Sequence, residues 1–155
     1  MHTRRDMLSG SAKVVAMLAG IGLLPSLAAA QAAGYNAAAF DAKTLPELMK
    51  ALGAGAPVES KDVTVTGPDI AENGAVVPVG ASTTLPGVKR MLLLVEKNPS
   101  VMTAMFDVSD AVDANFSTRV KMGQSSDVYA VALMGDGKVL FAKKEIKVTL
   151  GGCGG

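Results

Sequence analysis

The chain has 155 residues, enough for one domain with its own core and too few for two of ordinary size. Hydrophobic residues make up 49 % and charged residues 19 %, the balance of a globular protein rather than a disordered tail. The first thirty residues hold Arg4, Arg5 and Lys13 against Asp6, leaving 12 basic and 13 acidic residues beyond them; a net charge of −1 there excludes a basic nucleic-acid surface. The single histidine is His2, so the chain past residue 30 has no imidazole to ligate a metal or act as a general base.

Residues 1–30 read as a Tat (twin-arginine) export signal. Arg4 and Arg5 precede an apolar stretch from about Val14 to Leu24, and Ala28-Ala29-Ala30 offers a small-residue cleavage site before Gln31. The stretch is interrupted by Gly20, Gly22 and Pro25 and falls short of the ~20 apolar residues that span a bilayer, so a removed signal is expected rather than a stable membrane anchor. Tat export carries proteins that have already folded. The expected location is the periplasm, an oxidising compartment, and the absence of cofactor ligands directs the expectation toward a partner assembled before export.

The second region, 31–150, opens with an alanine-rich stretch from Gln31 to Ala42. Thr44-Leu45-Pro46-Glu47 then has the spacing of a capping box, and Leu45, Leu48 and Leu52 share one face, so a short helix is expected to end at Gly53 or Gly55. Past Pro57 the period changes to two. Val63 and Val65, then Phe116, Thr118, Val120 and Met122, and then Ile146, Val148 and Leu150 alternate with polar neighbours. The unbroken apolar run Met91 to Val95 suits a central strand, and further strands are expected near Ala75 to Val79, Thr103 to Val108 and Val128 to Met134. Turn pairs at Gly67-Pro68, Asn73-Gly74, Pro86-Gly87, Asn98-Pro99 and Asp136-Gly137 separate them.

About seven such strands predict a mainly β fold, an immunoglobulin-like antiparallel β-sandwich preceded by a short N-terminal helix. The chain has no Trp and one cysteine, so no disulfide pins the sheets together. The last strand, Lys138 to Leu150, runs straight into a glycine tail.

Three weaker patterns carry no function. Gly53-Ala54-Gly55 lacks the lysine and context of a nucleotide loop and reads as a helix stop. Asp107, Asp110 and Asp113 lack the further ligands of a calcium loop and read as a solvated turn, so no metal site is assigned. Six methionines past residue 30 are scattered over expected strands and helix and read as core filling.

The tail, 151–155, is Gly151-Gly152-Cys153-Gly154-Gly155. Four glycines around one cysteine make a thin arm that resists packing into a sheet and can enter a narrow pocket on another protein. No histidine or second cysteine can activate the thiol, and the nearby terminal carboxylate disfavours the thiolate. Cys153 is therefore a poor catalytic nucleophile and a good point of covalent attachment. Prenylation needs three residues after the cysteine, and two follow.

The signal, the helix around Leu45 to Leu52, the stretch Pro68 to Val79 and above all the terminal Gly-Gly-Cys-Gly-Gly resemble the SoxY family, the carrier subunits of the SoxYZ complex in bacterial thiosulfate oxidation. The resemblance implies a carrier rather than an enzyme, with no cofactor beyond a covalent sulfur adduct on Cys153. It further implies a heterodimer with SoxZ and transient docking with haem-containing SoxAX, the hydrolase SoxB and, where present, the sulfur dehydrogenase SoxCD. Two other readings of the tail remain. Gly154-Gly155 is similar to the end of ubiquitin-like thiocarboxylate carriers, although that chemistry needs ATP and sits poorly with export. An exported protein-binding module whose cysteine forms an intermolecular disulfide is the other.

Overall fold

The computed structural model describes residues 36–149, so the expected signal, 1–30, and the glycine tail, 151–155, lie outside the described residues. Among the described residues two short helices come first, α1 (Ala37–Asp41) and α2 (Leu45–Ala51). At five residues, α1 is too short to show a helical period, which is why the alanine-rich stretch suggested no element. Asn36 caps it by accepting from the Ala39 N–H at 3.1 Å, and its Nδ2 donates to the Ala51 carbonyl at 3.0 Å, tying the start of α1 to the end of α2.

The capping chemistry of α2 follows the sequence closely, with one shift. Thr44 Oγ1 accepts from the Glu47 N–H at 3.3 Å, while Glu47 reaches past Thr44 to accept from the Lys43 N–H at 2.9 Å. The helix stops where Gly53 takes φ +65°, a conformation strained for any residue with a Cβ.

Nine strands follow among the described residues: β1 (Pro57–Glu59), β2 (Val63–Thr66), β3 (Ile70–Ala71), β4 (Val77–Thr83), β5 (Val88–Val95), β6 (Met102–Asp107), β7 (Asn115–Val120), β8 (Ser126–Met134) and β9 (Val139–Val148). One sheet has the order β1-β9-β8-β5-β6, with β3 also paired to β9; the other has the order β2-β4-β7. The seven longer strands form the expected antiparallel sandwich. The two additions, β1 and β3, lie parallel against β9. They are three and two residues long, too short to show alternation, so periodicity alone could not reveal them.

Burial explains the unbroken apolar run in β5. Met91, Leu93 and Val95 face the second sheet, packing with Val79, Val128, Ala130 and Ile146. Leu92 and Leu94 face the opposite way and pack with Leu48, Met49 and Val131 beneath the helices. The larger sheet is covered on both faces at its centre, so its middle strand has no solvent side and no alternation. The edge strands keep theirs, as in β7, where Phe116, Thr118 and Val120 turn inward and Ser117 and Arg119 outward.

The hairpin between β8 and β9 sets the register on which the tail depends. Gly137 takes φ +88°, and Asp136 Oδ1 accepts from the Lys138 N–H at 3.1 Å. Pairing then runs from Leu133 opposite Val139 to Ser126 opposite Ile146.

Because Leu92 and Leu93 are both fully buried on opposite faces of one strand, either truncation to alanine is expected to cost about 2–5 kcal/mol. Denaturant midpoints should fall for both. A loss confined to Leu93→Ala would show that the helices contribute nothing to the fold.

Candidate functional site

The chemistry-bearing residues expected from the sequence, Cys153 with Gly151, Gly152, Gly154 and Gly155, lie outside the described residues, as do Arg4 and Arg5. What the structure defines is the end of β9, the described element that precedes Cys153 in the chain. β8 accompanies β9 only as far as Ile146. Beyond it, three successive backbone N–H groups find three different acceptors: Lys147 donates to the Asp69 carbonyl at 3.0 Å, Val148 to Ser125 Oγ at 2.9 Å and Thr149 to the Ala71 carbonyl at 3.0 Å. Strand neighbours alternate from side to side, so β3 takes the donors on one edge and a serine hydroxyl stands in for β8 on the other.

The segment between β3 and β4 closes over this end. Asn73 Oδ1 accepts from the Ala75 N–H at 2.9 Å, making a tight turn, and the Gly74 carbonyl accepts from the Met122 N–H at 2.7 Å. Gly74 has no room for a side chain: a Cβ there would stand 2.3 Å from the Met122 carbonyl oxygen and 2.8 Å from Val148 Cγ1. Ala71 is buried in the same core. Ile70, paired with Lys147, and Val76, two residues past Gly74, are instead 57 % and 51 % exposed.

An ion pair flanks β3. Lys144 Nζ lies 2.9 Å from Asp69 Oδ1 and donates to the Gly67 carbonyl at 2.6 Å, so one side chain spans the loop that leads into β3. Its hydrogen bond to Asp69, reinforced by its charge, holds the carboxyl below its ordinary value of 3.8. Sequence reasoning read turns at Gly67-Pro68 and Asn73-Gly74 and a strand near Ala75 to Val79, and picked out Pro68 to Val79 as a whole through the family resemblance, but did not find Ser125, Ala71 or Lys144 as parts of this end. Ala71 acts through its backbone carbonyl, Ser125 through its hydroxyl and Lys144 through its ammonium group, each toward a distant segment, for which a chain read linearly carries no signal.

Other features do not combine with this end of β9. A cleft of about 480 Å³ beside α2 is lined by Lys43, Leu45, Glu96, Tyr129 and Phe141, and burial together with Glu96 pushes the Tyr129 hydroxyl up. Phe141 sits near the start of β9, eight residues and roughly 26 Å before Thr149 at ~3.3 Å per residue. Of the acidic trio, Asp107 is engaged by Arg90 at 2.6 Å. Among the described residues no group of three or more His, Cys, Asp or Glu stands together as a metal site.

The family model for the sulfur oxidation protein SoxY matches residues 48–153, from α2 through β9 to the single cysteine. The chain belongs to the SoxY family. A solved structure of the sulfur carrier protein SoxY from Chlorobium limicola f thiosulfatophilum is 33 % identical, covers 68 % of this chain and 94 % of its own, and superposes with a TM-score of 0.61. Superoxide reductase (neelaredoxin) from Ignicoccus hospitalis is 19 % identical with a TM-score of 0.51, over 56 % of this chain and 80 % of that one, and so shares the sandwich fold alone. No curated protein sequence matches. Family membership makes this chain a sulfur-oxidation carrier and implies a SoxYZ-type complex.

Because the folded-state pKa of Asp69 is lowered, the pair with Lys144 contributes fully above 3.8 and is lost as pH falls through the lowered value. An NMR titration of the Asp69 carboxyl should show a midpoint below 3.8, returning to the ordinary range in Lys144→Ala. The exposed pair adds little to global stability, so thermal midpoints should barely differ.

Proposed function

We propose that this SoxY family member carries thiosulfate-derived sulfur on Cys153 in the periplasm and presents it to partner enzymes. The observation that supports this most directly is the delivery of the chain by β9 to Thr149, where its backbone N–H is still bonded to Ala71, four residues before the only cysteine. Four residues span at most about 14 Å. The glycines on both sides leave that length narrow enough to enter a pocket, and the sandwich behind it supplies a rigid base.

The chemistry divides between the carrier thiol and its partners. In the first step the Cys153 thiol and thiosulfate join through a new S–S bond, giving Cys–S–S–SO₃⁻ with release of one proton and two electrons. A haem-containing partner of the SoxAX type accepts the electrons. In the second, water attacks the terminal sulfonate sulfur, the S–SO₃ bond breaks, sulfate and a proton leave, and Cys153 retains a persulfide. A hydrolase of the SoxB type supplies that step, and a SoxCD-type dehydrogenase can oxidise the remaining sulfur. Nothing in the carrier has to activate the thiol, which fits the absence of histidine beyond residue 30.

SoxZ is the proposed stable partner. Arg4 and Arg5 in the proposed Tat signal, 1–30, would export the two together after folding, leaving the sandwich, 31–150, and the carrier arm, 151–155, in the mature protein. The family match extends to residue 153 and favours attachment at the thiol over thiocarboxylate chemistry at the Gly155 carboxyl.

Intact-mass analysis of protein isolated from thiosulfate-grown cells should show reductant-labile adducts that map to Cys153. Cys153→Ser should fold and bind its partner as before while thiosulfate-dependent electron flow falls to background. Normal oxidation by that variant, or adducts at the Gly155 carboxyl, would overturn the proposal.

A further inference from the structure

Strand pairing gathers charged and aromatic side chains on the outer face of the larger sheet. Residues paired across neighbouring strands point the same way, and Tyr129 pairs with Lys143, Val131 with Phe141 and Phe141 with Glu59. Asp127, two residues before Tyr129, shares their face. The helix layer packs on Val131, Leu92 and Leu94 beside them, but α2 has seven residues and a length of only roughly 10 Å. At its first turn, Leu45 and Pro46 form one wall of the cleft of about 480 Å³ that Tyr129 and Phe141 also line.

The charges at this cleft are unequal in number and in engagement. Glu59, Glu96 and Asp127 stand in or beside it against Lys43 and Lys143, three carboxylates to two ammonium groups. Both ammonium groups are already held. Lys143 Nζ lies 3.1 Å from Asp127 Oδ2, and Lys43 Nζ donates to the Pro99 carbonyl at 2.5 Å. Glu59 and Glu96 are exposed, and among the described residues neither forms a salt bridge. The Tyr129 hydroxyl registers the balance: burial raises its pKa most, and Glu96 raises it more than Lys143 lowers it. The rings of Tyr129 and Phe141 stand 5.8 Å apart, tilted by 44°, and an aromatic face attracts a cation through its quadrupole.

We propose that this cleft docks an arginine side chain exposed by a partner protein, with the guanidinium against Tyr129 and Phe141 and paired with Glu59 and Glu96. Leu45 and Pro46 offer apolar surface to the aliphatic stem. A guanidinium is planar and carries five donors, so it can stack on a ring and serve two carboxylates at once; an ammonium does this less well. The site goes beyond sulfur carriage and stands without it, since no residue of it is shared with the thiol.

The experiment follows the ring resonances of Tyr129 by NMR in the full chain. N-acetylarginine amide, which mimics the residue within a protein, should shift them saturably. Its uncharged isostere N-acetylcitrulline amide should bind at least fivefold more weakly, and N-acetyllysine amide about twofold more weakly. Glu59→Gln and Glu96→Gln should each weaken the arginine amide about two- to fivefold. Lys143→Gln releases Asp127 and should tighten it by a similar factor. All three side chains are exposed, so the thermal midpoints of the variants should match the parent, and the opposite signs separate charge recognition from a change in fold.

Equal binding of the citrulline amide, tighter binding of sulfate than of the arginine amide, or affinity indifferent to Glu59 and Glu96 would overturn the proposal. Free arginine should bind no better than the capped amide. A clear preference for the free amino acid would make the cleft a small-molecule site and overturn the assignment to a partner protein.

Discussion

Pairing along β9 is the constraint on which the rest of the structure depends. This strand pairs with β8 from Val139 to Ile146, receives β1 at its start and β3 at its end in parallel, and sends Ile146 into the core between the sheets. A ten-residue strand with neighbours on both edges cannot slip by one position without turning Ile146 outward and Glu145 or Lys147 inward. The register set at Gly137 is therefore transmitted to Thr149. Whatever follows Thr149 starts from a defined place.

That rigidity suits a carrier because the affinity for each partner has to stay modest. Ordering a residue on binding costs roughly 1–2 kcal/mol, so a surface that has to order afresh at every partner binds weakly. The fold contributes the opposite quality, a base that loses no further freedom on docking.

Parts of this arrangement were legible in the chain. The run Met91 to Val95 announced a strand buried on both faces, since only a strand without a solvent side can dispense with alternation. Thr44 and Glu47 announced a helix start, and Asp136-Gly137 a hairpin. The short strands β1 and β3 were not legible. Their two or three residues gain their conformation from pairing with β9, and no local period distinguishes them from loop. The root of the tail was hidden for the same reason, because Ser125 and Gly74 matter only when the sheet brings them to Val148.

By itself the sequence determined the chemical character of the protein: one cysteine flanked by glycines, and no residue past position 30 able to activate that thiol through an imidazole. These are properties of composition and order, and they exist before folding. Tertiary structure alone decided how the end of β9 is held. Residues 147–149 are held by acceptors from segments far away in the sequence, which only packing brings to them.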